Sequence, residues 1–453
     1  MPDGTGEHTP VDRRPALLIV NAEVEGVADV DVRCRDGRVV DVGRGLDAAP
    51  GEHVLDACGG ALLPGLNDHH IHLFALAAAR RSVKCGPPDV TTFAELQAAL
   101  EAAPGEDWIR GVGYHESVAG LLDSRSLDAL RGDRPVRIQH RSGKMWFVNS
   151  LAARRLGIDT PNGQLFRLDG LLRKRLAEDE DLGRSVEETS RLLAGYGIAG
   201  ITDATYTNDS TTEAIYRQLN LCQQVNLMGD ESLPSGTVKI MLDDAALPDV
   251  DHLQERIAKA HARKRRVAFH CVTRTELVFA LTALRAAGTL AGDRIEHAAV
   301  TDAATMGLLQ EVSGEAGHVT VVTQPNFIAE RGDRYLRDVP PEDHASLYRC
   351  RGFLEAGLPL GGGTDAPYGD PDPWAAMRAA VERQTPDGQV VGADEKLTPE
   401  QALALFLAPL DDPGGAPRRV EIGAAADFCV LTRPWNGARS ALAANLVAEC
   451  VKA

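Results

Sequence analysis

Cations are in deficit along this 453-residue chain: 48 Lys and Arg stand against 65 Asp and Glu, a formal net charge of −17. A surface built to hold nucleic acid or an anionic membrane needs clustered positive charge, so neither is expected as a partner. Long apolar runs are lacking too. None approaches membrane-spanning length, and the opening MPDGTGEHTPVDRRP has no apolar core of the secretory type. The eight cysteines, at 34, 58, 85, 222, 271, 350, 429 and 450, never pair as C-x-x-C, which removes a zinc ribbon and a thioredoxin-like motif. Scattered mostly among hydrophobes, they read as reduced core residues, and the expected compartment is the cytoplasm. No short-period repeat or low-complexity segment stands out. With 44% hydrophobic and 25% charged residues the balance is that of an ordinary globular protein. The acidic excess says little about a substrate, because the field inside a pocket is set locally. Assembly into a homo-oligomer is left open.

The two ends of the chain look alike. ALLIVNAEVEG, VDVRCRDGRVVDVGRG and HVLDACGGALLPG read as short strands, with Asp36-Gly37 as a hairpin turn. Near the C-terminus VEIGAAADFCVLTRP and NLVAECVKA read the same way. Either set alone is too short for a stable sheet, so the termini are expected to fold together as a small β-sandwich built from 1–63 and 411–453.

Between them, over 64–410, strands and helices alternate. Strand-like runs are ALLPGLNDHHIHL, WIRGVGYH, PVRIQH, GIAGITDAT, TVKIML, RVAFHCV, DRIEHAAV, VTVVTQP and LPLGGGTDAP. Thr92-x-x-Glu95, Ser185-x-x-Glu188 and Thr398-Pro399-x-Gln401 have the pattern of helix-starting capping boxes. Such alternation implies a parallel sheet, closed as a (β/α)8 TIM-like barrel or left open and doubly wound. Eight-fold closure requires one of WIRGVGYH and PVRIQH to be an excursion.

His70-Ile71-His72 is the sharpest local feature, because residues i and i+2 of a strand point to the same side. Alone, an H-x-H pair arises easily by chance. Lys239, His270, His297 and Asp365, however, fall at or near the C-terminal ends of four later strand-like runs. Successive members of the first three are about 30 residues apart, the length of one βα unit, and Asp365 lies two such units further on. The C-terminal ends of barrel strands are where such folds keep their chemistry. An amine or carboxylate inside an apolar strand is costly unless paired or neutralised, which weights Lys239 and Asp365 most. Lys239 could also form a buried ion pair with Asp203 or another carboxylate.

This set resembles the amidohydrolase superfamily over nearly the whole chain: ALLPGLNDHHIHL is similar to its first barrel strand, and GAAADFCVL to the end of its terminal sandwich. WIRGVGYHE, RPVRIQHRSGKMWFVNS and GGTDAPYGDPDPW are similar to its family 3 branch. The resemblance implies a metal-dependent amidohydrolase that attacks a non-peptide C–N bond with a metal-activated hydroxide. His70, His72 and Asp365 would hold one divalent ion, with zinc favoured, and His270 and His297 a second. Lys239, carboxylated by carbon dioxide to a carbamate, would bridge them, since a free ammonium has no lone pair to offer. Asp365 would move the proton from water to the leaving nitrogen. Ring deaminases of the superfamily carry a glutamate three residues after the histidine of strand five; here that place holds Thr273. A deaminase or cyclic-imide hydrolase is therefore the second reading. A non-catalytic barrel is the third, disfavoured by retention of all six ligands. Tyr114, His140 and Gln324 are the expected substrate contacts, with Arg141 and Asp203 weaker; Lys144 stands where the branch often has histidine. His69 should point away from the pocket.

Overall fold

In the computed structural model, residues 16–452 are described except 106, 144, 167–180, 315, 316 and 318, so Lys144 lies outside the described residues. The chain forms two compact units, Met1–His72 with Ser190–Ala453, and Leu73–Thr189.

The first unit carries an eight-stranded sheet whose members follow chain order: Leu66–Ile71, Ile198–Asp203, Gln224–Gly229, Thr237–Met241, Val267–Cys271, Asp293–His297, Val319–Thr323 and Leu360–Gly362. All neighbours are parallel. Helices such as Val250–Ala262, Arg274–Ala287 and Ala303–Ser313 return the chain between strands. Covered on both faces, the strands can be apolar without alternation; VTVVT, the seventh, is buried at every residue. Beyond the last strand Asp365 N donates to His70 O (2.7 Å) and His72 N to Ala366 O (2.9 Å), which brings the first and eighth strands together as a nearly closed (β/α)8 barrel. The backbone approach there is so close that a Cβ on Gly363 would lie 2.6 Å from the His70 Cβ, and only glycine fits.

Two strand assignments change. WIRGVGYH and PVRIQH both leave the barrel, and its third strand is QVNLMG, Gln224–Gly229. That segment escapes a search for apolar runs because Gln224 is exposed and Val225, Asn226 and Leu227 are only half-buried. Ile109–Tyr114 and Val136–His140 belong instead to the second unit, in a five-stranded sheet ordered Gln164–Phe166, Met145–Val148, Val136–His140, Ile109–Tyr114, Val83–Lys84. This unit has its own core, including Leu96, Leu127, Ile138 and Phe147.

The terminal segments of the first unit make two further sheets. Arg38–Gly43, Val27–Arg35, Leu17–Val24 and His53–Asp56 form one; Val447–Lys452, Asp427–Leu431 and Leu62–Pro64 form the other. Ile19 and Val32 from one sheet and Leu62, Phe428 and Val430 from the other share a single apolar cluster. The hairpin turn is Asp36-Gly37, both at positive φ (48° and 74°), as a two-residue turn between right-twisted strands requires. Thr92 and Thr398 form complete capping boxes with Glu95 and Gln401. Ser185 does not start a helix: it lies within Asp181–Gly195 and its hydroxyl donates to Ala77 O. Among the described residues no helix is long and apolar enough to cross a membrane.

Candidate metal centre

Alternation along the first barrel strand sends Asp68, His70 and His72 to one side. His70 Nε2 and His72 Nε2 lie 3.4 and 3.2 Å from Asp365 Oδ1, and the ligand atoms of these three residues are all within 4.8 Å of one another. His297 at the end of strand six packs its ring 4.9 Å from that of His70, and His270 on strand five lies 4.6 Å from His297. Strands one, five, six and eight thus bring four imidazoles and a carboxylate together. His297 and Asp365 hold positive φ (69° and 55°), a conformation that side chains other than glycine's adopt at a cost and that recurs at functional sites.

The other ring nitrogens are engaged. His70 Nδ1 meets Glu296 Oε2 at 2.5 Å, His72 Nδ1 meets Thr205 Oγ1 at 2.8 Å, and His297 Nδ1 meets Gln324 Oε1 at 2.7 Å. His297 Nε2 is buried without a partner. Burial holds His297 down to about 3 and lowers His70 and His270 as well, so their imidazoles are neutral and carry free lone pairs. Burial by itself would raise Asp365, but His70, His72 and His297 beside it outweigh that and keep its carboxyl ionised. Neutral imidazole nitrogens and an ionised carboxylate converging in a dry interior fit a divalent cation.

Lys239, on strand four, is buried and its Nζ has no hydrogen-bond partner. The carboxylate in ion-pair range is Glu296, Oε2 at 4.0 Å. Burial brings the amine down to about 8, against the pull of Glu296 upward. Asp203 is committed elsewhere: it accepts from Tyr216 Oη (2.6 Å), Asn208 Nδ2 (2.9 Å) and Thr205 N (3.0 Å). It thereby fixes the turn whose Thr205 hydroxyl meets His72.

Glu296 and Asp68 were not anticipated from the sequence. Asp68, fully buried, accepts from His70 N (3.0 Å), Thr364 N (3.1 Å) and Thr364 Oγ1 (2.5 Å), and burial raises it to about 6. It ties the first strand to the turn that presents Asp365. The signal for it was spacing: an aspartate two residues before His70 on an apolar strand shares the face of the histidine pair.

Three expected substrate contacts take different places. Gln324 is fully buried and its amide oxygen is used by His297. Tyr114 is likewise buried, in the core of the second unit, with its hydroxyl donating to Gly120 O at 2.7 Å. Both spend polar atoms on partners inside the protein. His140 sits at a strand end of the second unit beside Glu116 Oε2 (3.2 Å), its ring stacked on His115. Thr273, at the position of the deaminase glutamate, caps the helix Arg274–Ala287: its oxygen accepts from Glu276 N (3.1 Å) and its hydroxyl donates to Asp244 Oδ1 (2.6 Å). His69 is fully buried with no partner on either ring nitrogen, and burial keeps it neutral.

The model of the amidohydrolase family matches residues 53–448. The N-substituted formamide deformylase of Arthrobacter pascens is 26% identical over 92% of this chain and 93% of its own. Among solved structures, an uncharacterized metal-dependent hydrolase from Pyrococcus horikoshii superposes with a TM-score of 0.75 at 19% identity, over 92% of this chain and 97% of that one. A second, from Pyrococcus furiosus, gives 0.73 at 20% identity over 92% and 99%. N-isopropylammelide isopropylaminohydrolase from Burkholderia multivorans gives 0.57 at 17% identity over 97% of each chain.

Proposed function

The chain belongs to the amidohydrolase family and is a metal-dependent hydrolase of carbon–nitrogen bonds other than peptide bonds, and we propose that its substrate is a small amide, N-acyl or N-formyl compound. The observation that carries the reading is the convergence of His70, His72 and Asp365, their ligand atoms within 4.8 Å of one another, with the rings of His270 and His297 packed beside them. His70, His72 and Asp365 would hold one ion, and zinc suits a mixed imidazole and oxygen set. His270 and His297 would hold a second. When bound, the metal supplies Lewis acidity and makes water a nucleophile near neutral pH.

The protein's own groups do the rest. Asp365 is ionised and rigidly presented: its amide donates to His70 O, and its carbonyl accepts from Tyr368 N and Gly369 N. It takes the proton of the attacking water and returns it to the nitrogen that departs, so the amine leaves neutral and the acyl or formyl group leaves as the carboxylic acid, which gives its remaining proton to solvent. Lys239 would offer an anionic oxygen donor as a carbamate, its neutral nitrogen bonding to the carbon of carbon dioxide with loss of one proton. Supporting this, an amine brought down to about 8 is partly neutral near neutral pH, and only the neutral amine adds to carbon dioxide.

The test is a panel of N-acyl and N-formyl amides together with ring amines, offered to zinc-loaded protein. Formate or another carboxylate should appear with the amine; chelation should abolish turnover and zinc should restore it. Full activity without metal, or ammonia from ring amines as the sole product, would overturn the reading.

A further inference from the structure

Strand six carries a buried pair of opposite charges, Arg294 and Glu296, that the hydrolytic reading does not use. Arg294 and Glu296 are both buried, Glu296 completely, one residue before the candidate ligand His297. Arg294 Nε donates to Glu296 Oε1 at 2.7 Å and Arg294 Nη2 to Oε2 at 3.0 Å. The same Nη2 donates to His69 O at 2.7 Å, so the pair reaches from strand six to the backbone of strand one beside His70. There Glu296 Oε2 faces His70 Nδ1 at 2.5 Å.

We propose that Glu296 is the positioning residue of the metal centre, fixing the tautomer and rotation of His70 so that Nε2 is the ligand atom. A carboxylate can only accept, so His70 Nδ1 bears the hydrogen and Nε2 is left as a bare lone pair. That lone pair lies 3.4 Å from Asp365 Oδ1, on the ligand side. Glu296 is not itself a ligand, because Oε1 is occupied by Arg294 and Oε2 by His70 and Arg294. Lys239 Nζ lies 4.0 Å from the same Oε2. Arg294 makes the arrangement one-way: with its donors on both oxygens, the carboxylate cannot turn to another partner. An outer carboxylate of this kind raises the basicity of the imidazole it holds, and its loss commonly lowers metal affinity 10–100-fold. The inference rests on the metal-centre reading above.

Glu296→Gln tests it. The amide oxygen can accept from His70, as that of Gln324 does from His297, but its NH2 then confronts the Arg294 Nε. Zinc affinity, measured by competition with a chromophoric chelator, should fall roughly 10–100-fold. The visible spectrum of the cobalt form should also change. With His70 replaced by alanine the same Gln substitution should have almost no added effect, since it acts through that ring. If Glu296→Gln leaves Arg294 unpaired and the protein unfolded, the neutral double variant Arg294→Met with Glu296→Leu takes its place, with the same loss expected. Independently of any variant, zinc-loaded protein carrying 15N-histidine should show a slowly exchanging proton on His70 Nδ1. Folded Glu296→Gln protein with zinc affinity within twofold of the parent, or His70 ligating through Nδ1, would overturn the assignment. A parent protein that takes up no metal would instead overturn the metal-centre reading itself.

Discussion

Replacing Asp68 by alanine should destabilise the metal-free protein by about 4 kcal/mol, within a range of about 2–6 kcal/mol. Three donors end on this carboxylate: His70 N, Thr364 N and the Thr364 hydroxyl. The hydroxyl can turn elsewhere, but the two amides cannot. Each buried N–H left without an acceptor costs about 1–3 kcal/mol, which sets the range, and the total stability of a domain is only about 5–15 kcal/mol. Asparagine at the same position keeps an oxygen for both amides, and its NH2 can donate to the Thr364 oxygen. That variant should lose about 1 kcal/mol. The comparison is made by urea unfolding of parent, Asn and Ala proteins stripped of metal, followed by tryptophan fluorescence and circular dichroism. Zinc affinity should fall with stability in the alanine variant, because the same bonds present His70 and Asp365 to each other. An alanine variant within about 1 kcal/mol of the parent, or one no weaker than the asparagine variant, would refute the reasoning.

Asp365→Asn keeps shape and one oxygen but accepts no proton, so kcat should drop roughly 10²-fold or more with less loss of metal; near-normal turnover would place proton transfer elsewhere. Metal-free protein reconstituted with zinc should regain activity faster and further with bicarbonate present, and indifference to bicarbonate would show Lys239 as an unmodified amine paired with Glu296. His297 is held near 3 in the fold against about 6.5 when unfolded, so only the unfolded chain takes up a proton between those values. Its stabilising contribution is complete above about pH 6.5 and is lost as pH falls, by up to about 1.4 kcal/mol per unit; the urea midpoint of metal-free protein should decline from pH 7 to 5, and less steeply in His297→Gln.

The placement of the candidate ligands was legible because they lie at the ends of strands, where a polar residue inside an apolar run announces itself. His70, Lys239, His297 and Asp365 are each surrounded in sequence by residues that must be buried, and the βα repeat spaces them. What surrounds them was harder to read. Glu296 and Asp68 sit one or two residues from a ligand and were overshadowed by it, although Arg294-x-Glu296 within a buried strand is itself an improbable pair of charges. The third barrel strand was missed because half-burial left its composition mixed. Conversely, Ile109–Tyr114 and Val136–His140 look like barrel strands since they too are a parallel pair rich in buried apolar residues; only pairing partners, which no local pattern carries, assign them to a separate sheet. Tyr114 and Gln324 show the same limit. A polar group at a strand end is visible in the sequence, but whether it faces a pocket or another side chain depends on neighbours distant along the chain.

All six candidate ligands belong to the first unit, and the chain departs for the second immediately after His72. The departure leaves no ligand behind: His72 closes the first strand's contribution, and the next part of the set does not come until Lys239. Residues 73–189 therefore form a stretch with its own core that supplies none of the six candidate ligands, and the chain runs through it between the first barrel strand and the second.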